Sequence, residues 1–384
     1  MAAACFDLSW PLFATLGESR FALWWLPEAR DWALPLALLG AFWLLLPRAV
    51  PGKPLAALLW LPLFWPPLER PAVGEVELVM MDVGQGLSML VRTARHQLLY
   101  DAGPAVADGY DAGERVVVPA LHALGVARLD RTVISHGDYD HAGGFEAVRA
   151  ALPVGLAEAP DGAPLRVDRP CVARTAWEWD GVRFRYLHPT PGFRYRRNES
   201  SCVLRVESAH GAMLLSGDIG QAVERRLLRQ APQDLRADVV LVPHHGSATS
   251  SQPDFVAATG ARLALISAGH GNRFGHPRPA VVARWQASGA EVATTAQSGA
   301  LRIWLGRAGL QLRERRPWRA RLWDAAERAR AAAILSASER AAERAGGLRR
   351  VGTGQGRWLA DGATAAVGRG RAGDRPGAVL EPAP

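Results

Sequence analysis

Seven short polar clusters in this 384-residue chain hold residue types that can do chemistry. In order they are MDVGQG (81–86), YDAG (100–103), HGDYDH (136–141), LHPTPG (187–192) with NESS just after it (198–201), SGD (216–218), PHHGS (243–247) and NRFGHP (272–277). The third is the densest, with two histidines and two aspartates in six positions. Carboxylate oxygens and imidazoles on loops around one pocket can hold one or two divalent ions. In a tight turn, His136 and Asp138 can serve one ion, and Asp140 and His141 a second. Asp218 can bridge both, and a later histidine can close the second site. Two such ions would activate a water as nucleophile and steady a leaving oxygen.

Blander readings compete with each cluster. A lone Gly-Asp is usually a turn, so Asp218 gains weight only beside the HGDYDH motif. DVGQG by itself reads as a β-turn whose glycines supply positive φ. HHGS alone says little, and the pair leaves open whether His244 or His245 is the ligand. GTGQG at 352–356 is not a phosphate loop, because no strand precedes it and no GK[ST] follows.

The surrounding pattern supplies the elements that position these clusters. From residue 76 the chain runs in short β-rich segments: VELVMMDV, LSMLVRTA, HQLLYDAG, RTVISHG, VRFRYLHP, SCVLRVES, AMLLSGD, DVVLVPHHG and RLALISAG. Helical patterns lie between them: ERVVVPALHALG, GGFEAVRAALP, QAVERRLLRQA, QPDFVAATG and PAVVARWQASG. This predicts a layered α/β sandwich. Six of the seven clusters follow an apolar run directly, which puts them on loops at strand ends, where such folds carry chemistry.

Both ends differ from this middle. Residues 32–46 and 55–67 are uncharged and apolar, but each is shorter than the ~20 residues of a spanning helix. Joined by PRAVPGKP, they read as a membrane hairpin or the end of a larger membrane domain over residues 1–70. Arg48 and Lys53 between them would place that loop in the cytoplasm, and everything after residue 67 outside it. Residues 317–384 read as an Ala/Arg/Glu helix followed by a disordered Arg/Gly-rich tail. Residues 313–384 hold 15 Arg against 8 Asp and Glu, so most of the net charge of +8 lies there. The basic balance is therefore weak evidence for a nucleic-acid partner. Three cysteines without a CxxC exclude a thiolate zinc site and a disulfide framework as organising features. A single Cys171–Cys202 bridge is left open.

Taken together, MDVGQG, LLYDAGP, DAGERVVVPALHALGV, SHGDYDHAGG, NESSCVLRV, LLSGDI, ADVVLVPHHGSATSS and SAGHGNRFGHP resemble the metallo-β-lactamase superfamily. More closely, they resemble the C-terminal domain of the ComEC DNA-uptake channels of naturally transformable bacteria. The resemblance implies a four-layer αββα sandwich over residues 73–316, preceded by short hydrophobic membrane-type helices. The rest of such a channel and its oligonucleotide-binding-fold domain are not in the sequence. A fragment, a separate gene product or a truncated gene model is therefore expected, with a separate channel portion as partner. The implied ligands are His136, Asp138, Asp140, His141, Asp218 and one of His244 and His245. Asp101 would orient ligands from behind.

The superfamily's commonest first motif is HxHxDH; here Asp138 replaces its second histidine, which tilts two divalent ions from Zn toward Mn. Asn198 stands where the next histidine would be, so site one is expected to be weak, and His188 is expected to be structural. Gln85 is near the site by resemblance only, and Leu87 stands where many relatives carry an acidic residue. His276 would act as donor or general acid, and Arg273 as a fixed positive charge for phosphate. The implied function is a metal-dependent DNA phosphodiesterase at the inner membrane, on the non-cytoplasmic side. It would degrade one strand while the other is imported. The competing expectations are another hydrolase of the superfamily and a non-catalytic channel fragment.

Overall fold

The computed structural model describes residues 2–18, 24–107 and 109–318. The tail expected over 317–384 lies, beyond Trp318, outside the described residues.

Among the described residues, fifteen strands form two sheets. They are β1 (Val76–Met80), β2 (Met89–Arg92), β3 (Gln97–Tyr100), β4 (Arg131–Val133), β5 (Ala157–Ala159), β6 (Arg169–Pro170), β7 (Ala176–Trp179), β8 (Val182–His188), β9 (Val203–Ser208), β10 (Gly211–Leu215), β11 (Val239–Leu241), β12 (Leu263–Ile266), β13 (Glu291–Thr294), β14 (Leu301–Gly306) and β15 (Gly309–Glu314). The first sheet runs β15-β14-β1-β2-β3-β4-β5-β6 and the second β13-β12-β11-β10-β9-β8-β7. In each sheet an antiparallel half is followed by a parallel half, which begins at β3–β4 and at β10–β11. Within each sheet the parallel strands run the same way, and the YDAG, HGDYDH, SGD and PHHGS loops leave from the C-terminal ends of β3, β4, β10 and β11.

The layers follow from side-chain alternation. On β1, Val76, Leu78 and Met80 enter the core between the sheets, while Val79 on the same strand faces the helix layer behind. A strand buried on both faces reads as a continuous apolar run, as VELVM does apart from Glu77. Glu77 is buried but paired with Arg92, whose Nε donates to it at 2.7 Å. Behind the second sheet, helix Gln221–Gln230 buries Val223 and Leu227, one turn apart, against Phe255 and Trp285. The result is the predicted four-layer αββα sandwich.

Cys171 and Cys202 form a disulfide. Cys171 follows β6 in the first sheet and Cys202 precedes β9 in the second, and both sulfurs lie in the core between them. The bridge left open by the sequence is therefore a clamp between the sheets.

Among the described residues no helix is long and apolar enough to cross a membrane. The first apolar segment forms helix Ala33–Leu45, 13 residues long. That is about 20 Å of helix against a hydrocarbon core of ~30 Å. The second is divided among the turns Lys53–Ala56, Ala57–Trp60 and Leu61–Phe64, with Pro54 and Pro62 near the starts of two of them. The two segments do fold back on each other: a Cβ at Gly40 would lie 2.7 Å from the Ala56 carbonyl. The structure thus forms a hairpin but does not bear out a spanning pair.

Candidate metal centre

Four donor groups converge at the C-terminal ends of the parallel strands: Asp140, His141, Asp218 and His245, with one ligand atom from each lying within 4.8 Å of the others. His141 Nε2 is 3.3 Å from Asp218 Oδ2 and 3.9 Å from Asp140 Oδ2. His245 Nε2 is 3.4 Å from each of those oxygens.

Each ligand is held from behind. Asp140 and His141 lie in the short helix Tyr139–Ala142 that follows β4. The Asp140 carbonyl accepts from Leu87 N at 3.0 Å. Gly86, at φ +143°, passes so close that a Cβ there would lie 2.4 Å from the same carbonyl. The MDVGQG loop is thus a positioning element, and it needs glycine at 86 for both conformation and room. Gln85 supports this wall, accepting from Gly269 N at 3.3 Å, and is not among the ligands. Asp101, buried at φ 61°, accepts from His141 Nδ1 at 2.7 Å and from Ser135 N and Oγ at 2.5 and 2.7 Å. It therefore fixes the His141 tautomer, with the Nε2 lone pair turned to the cluster. Ser267 O does the same for His245, accepting from Nδ1 at 2.8 Å. Asp218 follows β10, and its N–H donates to Ser201 Oγ at 3.1 Å.

Those tautomers define the electrostatics. Asp101 and Ser267 O can only accept, so neither Nδ1 can be the bare nitrogen. The two Nε2 atoms face each other at 3.2 Å with their lone pairs inward, beside two carboxylates. Such an arrangement calls for a cation at its centre. Without an ion, a proton serves: burial works against the charged form of His141, but Asp218 and Asp101 outweigh it and hold its pKa well above the ordinary value. Asp218 is held well below the carboxylate range, with the charges of His141 and His245 outweighing its burial. Asp140 is lowered to about 2, since its bond to His245 and the His141 charge outweigh its burial. Two nitrogens and two oxygens suit Zn or Mn.

The other predicted residues surround this group. His245, not His244, is the member of the pair that joins it. Both sit at φ 53°, and His244 keeps Nε2 at the margin, 3.8 Å from Asp218 Oδ2 and 3.3 Å from Asn198 Nδ2, with Nδ1 3.2 Å from Thr249 Oγ1. Asp138 does not join the four, because Arg197 engages both its oxygens, Nε to Oδ1 at 2.9 Å and Nη2 to Oδ2 at 3.0 Å. The argument for Mn drawn from Asp138 therefore loses its geometric basis. His136 lies behind Asp138, its Nε2 buried without a hydrogen-bond partner and 3.8 Å from Asp138 Oδ2. Burial, then the His141 charge, lowers its pKa to about 3. His188 donates to or accepts nothing in the cluster; its Nε2 meets Glu199 O at 2.9 Å, a structural role.

His276 packs edge-on to His244 with ring centroids 6.0 Å apart. Burial, then His245, His244 and Arg278, lowers its pKa to about 4. It is therefore neutral at pH 7. Arg273 is exposed and lies over Phe274, 4.9 Å from the ring centroid. Sequence reasoning missed Arg197, Tyr195 and Ser267. Tyr195 Oη accepts from Gly137 N at 2.9 Å. The one signal for the first two was their place in FRYRRNESS beside Asn198.

Residues 81–270 match the Metallo-beta-lactamase superfamily. The chain belongs to that superfamily and carries its hydrolase fold, with Asp140, His141, Asp218 and His245 as the candidate metal-binding group. Within it, the domain fits the ComEC family. The chain is 38% identical over 312 residues to competence protein ComA of Neisseria gonorrhoeae, covering 78% of this chain and 44% of that protein. It is 32% identical over 250 residues to recombination protein 2 of Haemophilus influenzae, covering 63% and 31%. It is 30% identical over 255 residues to ComE operon protein 3 of Bacillus subtilis, covering 59% and 32%. The chain thus spans less than half the length of each of these relatives.

Proposed function

We propose that this domain is a metal-dependent phosphodiesterase that degrades one DNA strand during DNA uptake while the other is imported. The observation that carries the reading is the complete Asp140–His141–Asp218–His245 cluster, with Arg197 beside it and Arg273 on the His276 loop. The likeness to competence proteins supports DNA as the substrate. The completeness of the cluster weighs against a decayed, non-catalytic fragment.

A divalent ion held by these four residues supplies Lewis acidity toward a phosphate oxygen and an activated water. The chain's own residues do the rest. Asp101 and Ser267 O hold the two imidazoles in register. The Asn272 side chain pins the 272–276 turn, accepting from His276 N at 3.0 Å and donating to Gly269 O at 2.9 Å. His276 is thereby placed to donate to a phosphate or leaving oxygen, and the negative charge of a bound phosphodiester opposes the effects that lower its pKa. Mn is the first ion to test, because half the donor atoms are carboxylate oxygens.

The setting is proposed as the non-cytoplasmic side of the inner membrane, with a channel portion as partner. The Cys171–Cys202 bridge supports an oxidising compartment. The exposed Leu34, Leu38, Phe42 and Leu45 of helix Ala33–Leu45 support an apolar environment for that segment.

Purified full-length chain with Mn should cut end-labelled single-stranded DNA. EDTA should abolish cutting, and Asp218→Ala should lower the rate by on the order of 1000-fold. No cleavage, or the same cleavage by Asp218→Ala, would sink the phosphodiesterase reading. Hydrolysis of a lactone or phosphorylcholine ester instead would point to a different hydrolase of the superfamily.

A further inference from the structure

The first metal position has lost its donors to other partners. Asp138 presents both carboxylate oxygens to the Arg197 fork. Asn198 turns its amide nitrogen, not its oxygen, to His244 Nε2 at 3.3 Å. Of the residues expected to serve this position, His136 keeps Nε2 without a hydrogen-bond partner. With Asp138 engaged, His136 Nε2, a neutral amide oxygen of Asn198 and an Asp218 carboxylate already shared with the neighbouring cluster are a poor set for an ion that seeks four donors.

Arg197 is held in place by its backbone. It opens the turn Arg197–Ser200 at φ 48°. Ser200 Oγ accepts from Arg196 N at 2.6 Å, and Ser201 Oγ donates to Asn198 O at 2.7 Å. The next residue, Cys202, is tied to the other sheet by the disulfide. The turn is thus anchored on both sides while the Arg197 side chain stays 75% exposed. A guanidinium has five N–H donors, and two are used on Asp138. The remaining three are open to an anion in solvent.

We propose that the site holds one ion, in the Asp140–His141–Asp218–His245 cluster, and that Arg197 takes the electrostatic place of a second. The guanidinium neutralises Asp138 and offers its free N–H groups to an anionic oxygen of a phosphodiester. Arginine suits this role where lysine does not, because its planar fork grips a carboxylate with one edge and leaves another edge for phosphate. A fixed cation here repels a dication from the same position. It also selects phosphate anions over neutral lactones or lactams. The inference rests on the metal-hydrolase reading above and narrows it to a mononuclear, phosphate-directed site.

The test counts metal and measures binding, apart from turnover. Full-length chain, stripped with EDTA, is titrated with Mn by calorimetry, with elemental analysis of the dialysed protein. The wild type should take one equivalent. Asp138→Ala should also take one, with affinity within about twofold, since that residue is not a ligand here. Arg197→Gln should gain a second, weaker equivalent, and Arg197→Lys, a check that the turn still folds, should stay at one. In EDTA, Arg197→Gln should bind a single-stranded oligonucleotide about tenfold more weakly. Arg229→Gln, an exposed arginine on helix Gln221–Gln230, should be nearly neutral. Two tight equivalents in the wild type, or loss of the first equivalent in Asp138→Ala, would overturn the Arg197 assignment and leave the hydrolase reading standing. A wild type that binds neither Mn nor Zn would overturn the hydrolase reading and this one with it. Unchanged stoichiometry and unchanged oligonucleotide binding in Arg197→Gln would overturn the Arg197 assignment alone.

Discussion

His141 Nε2 and His245 Nε2 face each other at 3.2 Å, each with its Nδ1–H committed to an acceptor behind it. The cluster is therefore stable with a shared cation or with a proton, and the two compete. In the ion-free protein His141 and His245 both have raised pKa values, driven by Asp218 and Asp101 for the first and by Asp218 and Asp140 for the second, against the cost of burial. A histidine raised on folding contributes stability that is full below its unfolded value, ~6.5, and is lost as pH rises through the folded value. The ion-free protein should thus lose melting temperature as pH rises from 6 to 9. Added Mn should restore it, and the increment should grow with pH because fewer protons must be displaced. Thermal melts with EDTA and with Mn across that range check this; an increment that shrinks with pH contradicts it.

Asp101→Ala leaves His141 without its rear acceptor. The imidazole can then turn or take the other tautomer, so Mn affinity should fall by about 10- to 100-fold. The His141 pKa should fall too, because one of the two carboxylates that raise it is gone. Calorimetry measures the first and a histidine NMR titration the second. An unchanged affinity would mean that Asp101 serves only to hold Ser135.

Gly86→Ala places a methyl against the Asp140 carbonyl and forces alanine to φ +143°. Both effects push the Tyr139–Ala142 turn away from Asp218. Metal affinity should drop at least about tenfold, and stability by roughly 1–3 kcal/mol. Gly84→Ala is the comparison: it also has positive φ but nothing within 4 Å of its Cβ, so it should bear the conformational cost with little effect on metal.

How much of this was legible in the sequence depends on where each partner lies. Asp140, His141 and Asp218 could be read from local motifs, because a strand followed by a polar turn fixes where such side chains emerge. His245 could not be separated from His244, since the choice rests on two consecutive residues at φ 53° that no spacing rule orders. The pairing of Asp138 was hidden for a different reason. Its partner Arg197 lies 59 residues away, and the two meet only when β4 and the turn before β9 are brought together. The nine named strands were found because they are apolar runs, whereas β7 (AWEW) and β14 (LRIWLG) are only half-buried and carry charge, which hides them. The disulfide was hidden likewise, because sequence gives the separation of 31 but not the stacking of the sheets.

Reduction of that disulfide should destabilise the domain. A cross-link closing a loop of this length is worth about 3–4 kcal/mol through the unfolded chain. Urea melts with and without dithiothreitol should differ by that order, and Cys171→Ser should not respond to reductant. Metal affinity should weaken as well, because Cys202 adjoins Ser201, whose hydroxyl holds the Asp218 N–H. Equal melts would show that the bridge does not form in solution.

His188 gives an acid-side prediction with the opposite sign to His141. Its ring is buried, and burial, only partly offset by the bond to Glu199 O, lowers its pKa to about 4. The unfolded chain takes up the proton near 6.5, while the native state refuses it until about 4. Stability is therefore lost as pH falls through that window, at about 1.4 kcal/mol per pH unit, or roughly 2 kcal/mol by pH 5. Replacing the imidazole by a neutral group that still donates to Glu199 O, His188→Gln, should cost stability at pH 7 through imperfect packing. It should also flatten the slope between pH 6.5 and 4. Denaturant midpoints at half-unit intervals for both proteins measure the difference. Parallel curves would show that His188 does not carry the acid sensitivity, and would shift it to His136.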